Sequence, residues 1–370
     1  MIIKNGSVFC PDGKLHDKTI YVADKIVLSE SDKEKAYKDK IIIDATDKYV
    51  IPGLVDIHSH GAVGCDFCDA SKENLEKILK YERSVGVTSY CPTSMTLPFE
   101  DLKKIFETTT AIRKTDDMAK IVGINMEGPF ISEKKKGAQN AKYIKSADIE
   151  AFCELNASCG NLIKLVTLAP ETNGALDFIE ELKDEVNISV GHTDANFQTA
   201  AKAFSLGANH VTHLFNAMPP FHHRDTGVVG AAFDNKDVYV EVICDGIHIA
   251  PSMIRAIFKI FGSDRVVLIS DSMEATGMPD GEYMLGGQKV YKKGNHATLS
   301  DNTLAGSATN LFDCMKNAVA FGIPLEDAIK SATMTPAKSI GIFPTAGAIT
   351  ENQSADILIL NEDLTPEKIL

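Results

Sequence analysis

Long apolar runs and long basic stretches are both missing from this sequence of 370 residues. No run approaches the roughly 20 apolar residues that span a bilayer. The start, "MIIKNGSVF", lacks the charged leader and apolar core of a secretory signal. We therefore expect a cytoplasmic protein with no membrane partner. The net charge of −13, with no basic stretch to offset it, argues against a nucleic-acid partner.

Three common active-site motifs are missing as well. No GxxxxGK[ST] segment occurs, and "GAVGCDF" lacks the spacing of a dinucleotide-binding fingerprint. Neither "GHTDA" nor "LAGSATN" contains the G-x-S-x-G turn of a serine hydrolase. These absences argue against a nucleotide-binding sheet and against a Ser–His–Asp mechanism.

The eight cysteines form no recognisable framework. Cys65 and Cys68 make up "CDFC", a spacing shared by zinc ribbons and redox motifs. A ribbon needs a second close pair, and Cys153 and Cys159 lie too far apart to supply one. In a reducing compartment, free thiols are the expected state.

From about residue 50 the sequence alternates between short runs rich in Val and Ile and longer stretches of helical period. One helix is predicted after Ser71 as N-cap, with Gly86 as its stop, and another ends at Gly207. Continuous apolar runs are typical of parallel strands that are buried on both faces. The runs are 49–58, 86–94, 120–129, 162–170, 186–194, 208–216, 237–246 and 264–272.

Eight such units predict an α/β fold, a (β/α)8 TIM barrel over residues 50–334. A doubly wound open sheet is the alternative, and the missing phosphate loop disfavours it. Residues 1–49 look like short strands joined by turns, and residues 335–370 return to a β pattern. The two chain ends are therefore expected to pair into a small β domain.

Six polar side chains follow the predicted strands at their C-terminal ends: His58, His60, Glu127, His192, His213 and Asp271. In a closed parallel barrel these ends meet at one mouth, where the active sites of this fold lie. Residues i and i+2 of a strand share a face, so His58 and His60 present two imidazoles side by side. Burying these groups without partners would be costly, and a divalent cation removes that cost. The histidines His16, His210 and His296 are assigned no role.

Imidazole with carboxylate favours Zn²⁺, with Fe²⁺, Co²⁺ and Mn²⁺ as alternatives, over Mg²⁺ or Ca²⁺. One or two ions per subunit are compatible with six ligands. A bound ion lowers the pKa of water and polarises a carbonyl. Asp271 is then expected to act as general base and acid, taking a proton from water and passing it to a leaving nitrogen.

Seven segments of the sequence together resemble the N-acetylglucosamine-6-phosphate deacetylases, a family of the amidohydrolase superfamily. They are "PGLVDIHSHG", "MEGPF", "VGHTDA", "THLFNAMPPFHHRDTGVVG", "CDGIHI", "ISDSMEATG" and "LAGSATN". The resemblance implies a metal-dependent TIM barrel with a small β-sandwich built from both termini, in a homodimer. It also implies that Glu127, His192 and His213 hold the main metal, and that a phosphorylated amino sugar loses its acetyl group. Relatives usually continue past "TPEKIL" with a further strand, so a short or clipped C-terminus is expected.

The resemblance carries substrate contacts over to eight positions: Gln139, Asn216, Ala217, Arg224, His248, Ala305, Gly306 and Ser307. Some relatives have histidine where Gln139 stands. Arg224 and His248 suit a phosphate, because a guanidinium makes two charge-assisted hydrogen bonds to it. In this family such a contact can come from the partner subunit.

Two other functions stay open from the sequence. A different amidohydrolase, which opens a cyclic amide or cleaves an N-acyl amino acid, would share the metal chemistry and differ in its pocket loops. A non-catalytic scaffold that has kept the barrel would be expected to have lost metal ligands, whereas all six candidates are present here.

Overall fold

Eight parallel strands form the centre of the fold in the computed structural model, which describes residues 1–39 and 41–370. Each predicted run contains one of them, except that the first strand extends one residue beyond its run. In chain order, first to eighth, they are Leu54–Ser59, Val87–Ser94, Ile124–Glu127, Ile163–Leu168, Asn187–Val190, His210–Val211, Tyr239–Ile243 and Val266–Ile269. Each pairs in parallel with its chain neighbour. The predicted barrel is confirmed.

Backbone hydrogen bonds join the eighth strand to the first just beyond their ends. The amide of Asp271 donates to the carbonyl of His58 at 2.9 Å, and the amide of His60 donates to Ser272 at 2.8 Å. The hydrogen bonds that close the barrel therefore involve three of the predicted site residues. Their relative positions are fixed by main-chain bonds as well as by side-chain packing.

A helix follows every barrel strand, and two more helices end the barrel region. Their bounds are Lys72–Ser84, Phe99–Thr110, Ile149–Ser158, Ala175–Leu182, Phe197–Leu206, Gly227–Asp234, Pro251–Phe261, Leu311–Ala320, Leu325–Ala332 and Met334–Ser339. The Ser71 hydroxyl caps the first helix by accepting from the amide of Asn74. Gly207 caps the fifth with a φ of +130°, a conformation that glycine adopts without steric cost. Both predicted helices are confirmed.

The lower barrel is filled by apolar side chains from five strands. Val55, Ile57, Leu165 and Ile269 belong to this buried cluster. Ala337, from the helix Met334–Ser339, packs into it as well. That helix therefore contacts the barrel, although residue 335 was placed in the terminal domain. The division of the chain at residues 50 and 335 stays a prediction.

A sheet built from both chain ends stands beside the barrel. Along one edge-to-edge path its strands are Pro366–Ile369, Ile357–Asn361, Lys48–Pro52, Ile2–Phe9, Leu15–Ala23 and Ile26–Val27, and Ile42–Asp44 also pairs with Ile2–Phe9. Leu358 pairs with Ile51 in the antiparallel ladder that joins the tail to the N-terminal region. The expected pairing of the two ends is confirmed. Within the predicted β region, however, residues Glu30–Asp39 form a 3₁₀ helix.

A small antiparallel sheet, which was not predicted from the sequence, is inserted after the eighth barrel strand. Its strands are Gly281–Leu285, Gln288–Lys293 and His296–Thr298. Gln288, beyond its first turn, donates a side-chain hydrogen bond to the carbonyl of Ala138. The insertion thereby contacts the segment after the third strand, above the barrel mouth.

No helix in residues 1–39 and 41–370 has both the length and the apolar character for a bilayer crossing.

Candidate metal centre and active site

The six predicted side chains meet at the mouth of the barrel, and all of them are buried. Their ligand atoms fall into two groups, within each of which these atoms lie no more than 4.8 Å apart. One group contains His58, His60 and Asp271, and the other contains Glu127, His192 and His213. Residues separated by more than 200 positions in the chain are thus brought to one point.

The carboxylate of Glu127 belongs to the second group and also faces the first. Its Oε1 atom is 3.1 Å from Nε2 of His213 and 3.2 Å from Nε2 of His192. Its Oε2 atom is 3.4 Å from Nε2 of His60. One carboxylate therefore faces histidines of both groups and would be available to a cation held by either.

Left-handed backbone conformations direct several of these side chains. His192, His213 and Asp271 have φ angles of +45°, +29° and +48°. Each residue lies two positions beyond the end of its strand, where a regular β conformation would no longer fix its direction. Such conformations are uncommon for residues other than glycine and concentrate at functional sites.

Asp271 faces the imidazoles of the first group. Its Oδ1 atom is 3.2 Å from Nε2 of His60 and 3.5 Å from Nε2 of His58. Burial alone would raise the pKa of Asp271, but the hydrogen bond from His60 and the charge of His58 lower it below the ordinary value. Asp271 is therefore a carboxylate at neutral pH and is able to accept a proton.

The chemistry of the donor set fits a divalent cation. The Nε2 atoms of His192 and His213 lie 3.1 Å apart and both face Glu127, an arrangement that an ion between them satisfies. Nε2 of His58 is buried and has no hydrogen-bond partner within residues 1–39 and 41–370. Burial opposes charge on this imidazole, yet Glu241 and Glu127 raise the pKa of His58 to about 10. Without a cation, bound protons must compensate the negative charge of these carboxylates. Imidazole and carboxylate donors suit zinc, iron, cobalt or manganese.

A cavity of about 230 Å³ opens onto this centre. Five of the predicted substrate residues line it: Gln139, Asn216, Ala217, His248 and Gly306. Three others do not: Ala305, Ser307 and Arg224. The Ser307 hydroxyl donates to the carbonyl of Ser270 at 2.6 Å, which turns it away from the cavity. Arg224 lies in an exposed loop with its Nη1 atom 2.8 Å from Nε2 of His223.

Gln139 contacts the metal centre directly. Its Nε2 donates to Oε2 of Glu127 at 2.7 Å, and its Oε1 accepts from the amide of Thr96 at 2.7 Å. Gln139, which was expected to contact the substrate, therefore also restrains one oxygen of Glu127.

His248 is held by a carboxylate that the sequence analysis overlooked. Oδ2 of Asp245 lies 2.7 Å from Nδ1 of His248, and Oδ1 of Asp245 accepts from the amides of Ile247 and His248. Burial raises the pKa of Asp245, but the hydrogen bond from His248 and the charge of that ring together outweigh burial. The pKa of Asp245 is therefore below its ordinary value. The spacing of "DGIH" was the available signal, since an aspartate three residues before a histidine can orient it.

Glu241 was also missed, although it contacts His58 through a 2.9 Å hydrogen bond. Its signal was a charged residue inside the apolar run "VYVEVI", since Glu is rarely buried without a partner. His210, which was assigned no role, packs its ring 5.3 Å from that of Tyr239 and does not line the cavity. Cys65 and Cys68 are free thiols.

Comparison with known proteins agrees with this site. Residues 49–369 match the model of the amidohydrolase family. The N-acetylglucosamine-6-phosphate deacetylase of Bacillus subtilis is 37% identical over 98% of this chain and 90% of its own length. The N-acetylgalactosamine-6-phosphate deacetylase of Escherichia coli O157:H7 is 29% identical over 100% of this chain and 97% of its own.

A solved structure agrees over the whole fold. A mutant N-acetyl-D-glucosamine-6-phosphate deacetylase from Mycobacterium smegmatis, in complex with N-acetyl-D-glucosamine-6-phosphate, superposes with a TM-score of 0.91. It shares 30% identity, and the match covers 100% of this chain and 97% of that one. The chain belongs to the amidohydrolase family and, within it, to the metal-dependent N-acetylglucosamine-6-phosphate deacetylases.

Proposed function

We propose that this chain hydrolyses N-acetylglucosamine 6-phosphate to glucosamine 6-phosphate and acetate, as a step of amino-sugar catabolism. The observation that carries the proposal is the convergence of the two groups, one of which contains Asp271, at the floor of one cavity. The relatives named for this reaction match nearly the whole chain, so the substrate class follows from them.

The residues Glu127, His192 and His213 would hold the main metal ion, with His58 and His60 available for a second. Zinc is the first candidate, and iron, cobalt or manganese are the alternatives. The chemistry that such an ion supplies is polarisation of the amide carbonyl and acidification of water. The position of Glu127, which faces histidines of both groups, supports either one ion or two.

Asp271 would move the proton in the reaction. As a carboxylate it accepts a proton from the attacking water while the new C–O bond forms. It then returns that proton to the sugar nitrogen as the C–N bond breaks, which leaves a free amine and acetic acid, and the acid ionises to acetate. Its contacts with His60 and His58 hold the carboxylate at the cavity floor for both transfers.

The sugar would bind between His248, Asn216, Ala217, Gly306 and Gln139. Because Asp245 binds Nδ1 of His248, the Nε2 atom is the one left to contact the ligand. Arg224 does not line the cavity, so a phosphate contact from this residue fits best across a homodimer, with each subunit completing its partner's site.

The test combines elemental analysis of the purified protein with an acetate-release assay. We expect bound divalent metal and hydrolysis of N-acetylglucosamine 6-phosphate that a chelator abolishes and added metal restores. N-acetylgalactosamine 6-phosphate belongs in the panel because the E. coli relative is named for it. A cyclic amide and an N-acyl amino acid complete the panel. Metal-loaded protein that releases no acetate from either sugar phosphate would contradict the proposal.

A further inference from the structure

Glu241 is a buried carboxylate behind the proposed metal centre and does not line the cavity. It lies in the middle of the seventh barrel strand, between Val240 and Val242. Its Oε2 atom is 2.9 Å from Nδ1 of His58 and 3.3 Å from the backbone nitrogen of His213. One oxygen atom therefore contacts a residue from each of the two ligand groups.

The contact with His58 determines which ring nitrogen faces the centre. When His58 binds a cation through Nε2, its ring is neutral and carries one N–H; a carboxylate can only accept, so that hydrogen is on Nδ1 and faces Glu241. The lone pair is then on Nε2, which lies 3.5 Å from both Glu127 and Asp271. This nitrogen has no hydrogen-bond partner in the described protein and is therefore free to bind a cation.

The contact with His213 acts on the other group. His213 has a φ of +29°, a conformation that surrounding contacts must hold in place. Its amide donates to the same Glu241 oxygen that binds His58, so the backbone of one ligand and the ring of another share a single support. The remaining oxygen of Glu241 has no hydrogen-bond partner among the described residues, so the hydrogen bonds of this carboxylate go to the two ligand residues.

We propose that Glu241 is a positioning residue, which fixes the tautomer and orientation of His58 and couples the His58–His60–Asp271 group to the Glu127–His192–His213 group. The inference rests on the metal centre of the proposed function. Carboxylates that bind the outer nitrogen of a ligating histidine typically change metal affinity by about 10- to 100-fold. Glu241 would act through His58 and would not contact the substrate.

The test measures metal affinity directly, by competition for Zn²⁺ with a coloured chelator and by the visible spectrum of the Co²⁺-loaded protein. Glu241→Leu removes both hydrogen bonds, and Glu241→Gln keeps an acceptor without the charge. Asp245→Asn is the matched control, because it neutralises another buried carboxylate that binds a histidine without touching the metal groups. We expect the Zn²⁺ dissociation constant to be largest for Glu241→Leu, smaller for Glu241→Gln and smallest for wild type. That of Asp245→Asn should equal the wild-type value.

Glu241→Leu should bind Zn²⁺ about 10- to 100-fold more weakly and should change the Co²⁺ spectrum. Wild-type affinity in both Glu241 variants, or an equal loss in Asp245→Asn, would overturn the inference. If Glu241→Leu does not fold by circular dichroism, the comparison of Glu241→Gln with Asp245→Asn decides it in the same way. Because no substrate is used, absence of hydrolysis in the wild type would refute the proposed function and leave this result standing.

Discussion

Gln139 and Glu127 are joined by a 2.7 Å hydrogen bond between the amide nitrogen of one and a carboxylate oxygen of the other. The same amide accepts from the backbone nitrogen of Thr96, which fixes its orientation. Gln139 thus connects the segment after the second strand with the last residue of the third. A residue expected only to touch substrate is also part of the support of the metal centre.

Replacing Gln139 by leucine should therefore weaken metal binding as well as catalysis. The change leaves Oε2 of Glu127 and the amide of Thr96 without their partner, and we expect Zn²⁺ affinity to fall about 10-fold. Unfolding in urea should show a loss of about 1–3 kcal/mol from the unpaired amide. Gln139→His, which retains an N–H donor, should lose less metal affinity. If Gln139→Leu changes only KM, the contact with Glu127 has no role in metal binding.

Asp271→Asn should separate proton transfer from metal binding. The amide keeps the size and one acceptor oxygen of the carboxylate but cannot accept the proton from water. We expect kcat for acetate release to fall by about 10²- to 10⁴-fold. Elemental analysis should still find the ion held by Glu127, His192 and His213. Activity within 10-fold of wild type would remove Asp271 from its proposed role.

Much of this site followed from strand periodicity alone. The ends of eight apolar runs placed His58, Glu127 and His213 at one mouth, because parallel strands that close into a barrel align their C-terminal ends. The direction in which each side chain points could not be predicted from this periodicity. His192 and His213 reach the centre through left-handed backbone conformations that strand periodicity does not encode.

The supporting residues were harder to find than the ligands. Glu241 and Asp245 act through other side chains, and their contacts depend on distances between strands that are remote in the chain. The sheet inserted at Gly281–Thr298 was not predicted for a different reason. Each of its strands has a single buried residue among exposed and half-buried ones, so no continuous apolar run marks them. Leu285, at the end of its first strand, nevertheless lines the cavity.

His210 should make the fold sensitive to acid. Burial lowers the pKa of His210 to about 4, from 6.5 in the unfolded chain. Between these values the unfolded chain binds a proton that the folded protein excludes, so stability falls as the pH drops through this window. Between pH 7.5 and pH 5 the loss from this group amounts to about 2 kcal/mol.

Urea unfolding of wild type and His210→Leu at the two pH values measures this contribution. The variant should lose less stability on acidification, by about 2 kcal/mol, because the excluded proton is no longer involved. Acid release of metal affects both proteins and cancels in the comparison. His296→Leu, which removes an exposed ring, controls for the loss of a histidine as such. Equal pH dependence in wild type and His210→Leu would show that His210 titrates alike in both states.

Arg224→Ala should reduce hydrolysis of the phosphorylated sugar selectively. A charge-assisted contact to phosphate contributes about 1.5–3 kcal/mol, so kcat/KM should fall roughly 10- to 100-fold. Hydrolysis of unphosphorylated N-acetylglucosamine should not change. Arg113→Ala is the control, because this exposed arginine follows a helix that ends at the opposite face of the barrel. Equal losses for the two sugars would contradict a phosphate contact.

Mixing the two impaired variants Arg224→Ala and Asp271→Asn determines which subunit supplies Arg224. If Arg224 acts across a dimer, an Arg224→Ala subunit paired with an Asp271→Asn subunit contains one complete site, with Asp271 from the first and Arg224 from the second. Equimolar co-refolding should then recover about a quarter of wild-type activity, since half of randomly formed dimers are mixed and half of their sites are complete. No recovery, with mixed dimers verified by differently sized affinity tags, would mean that Arg224 acts within its own subunit or not at all.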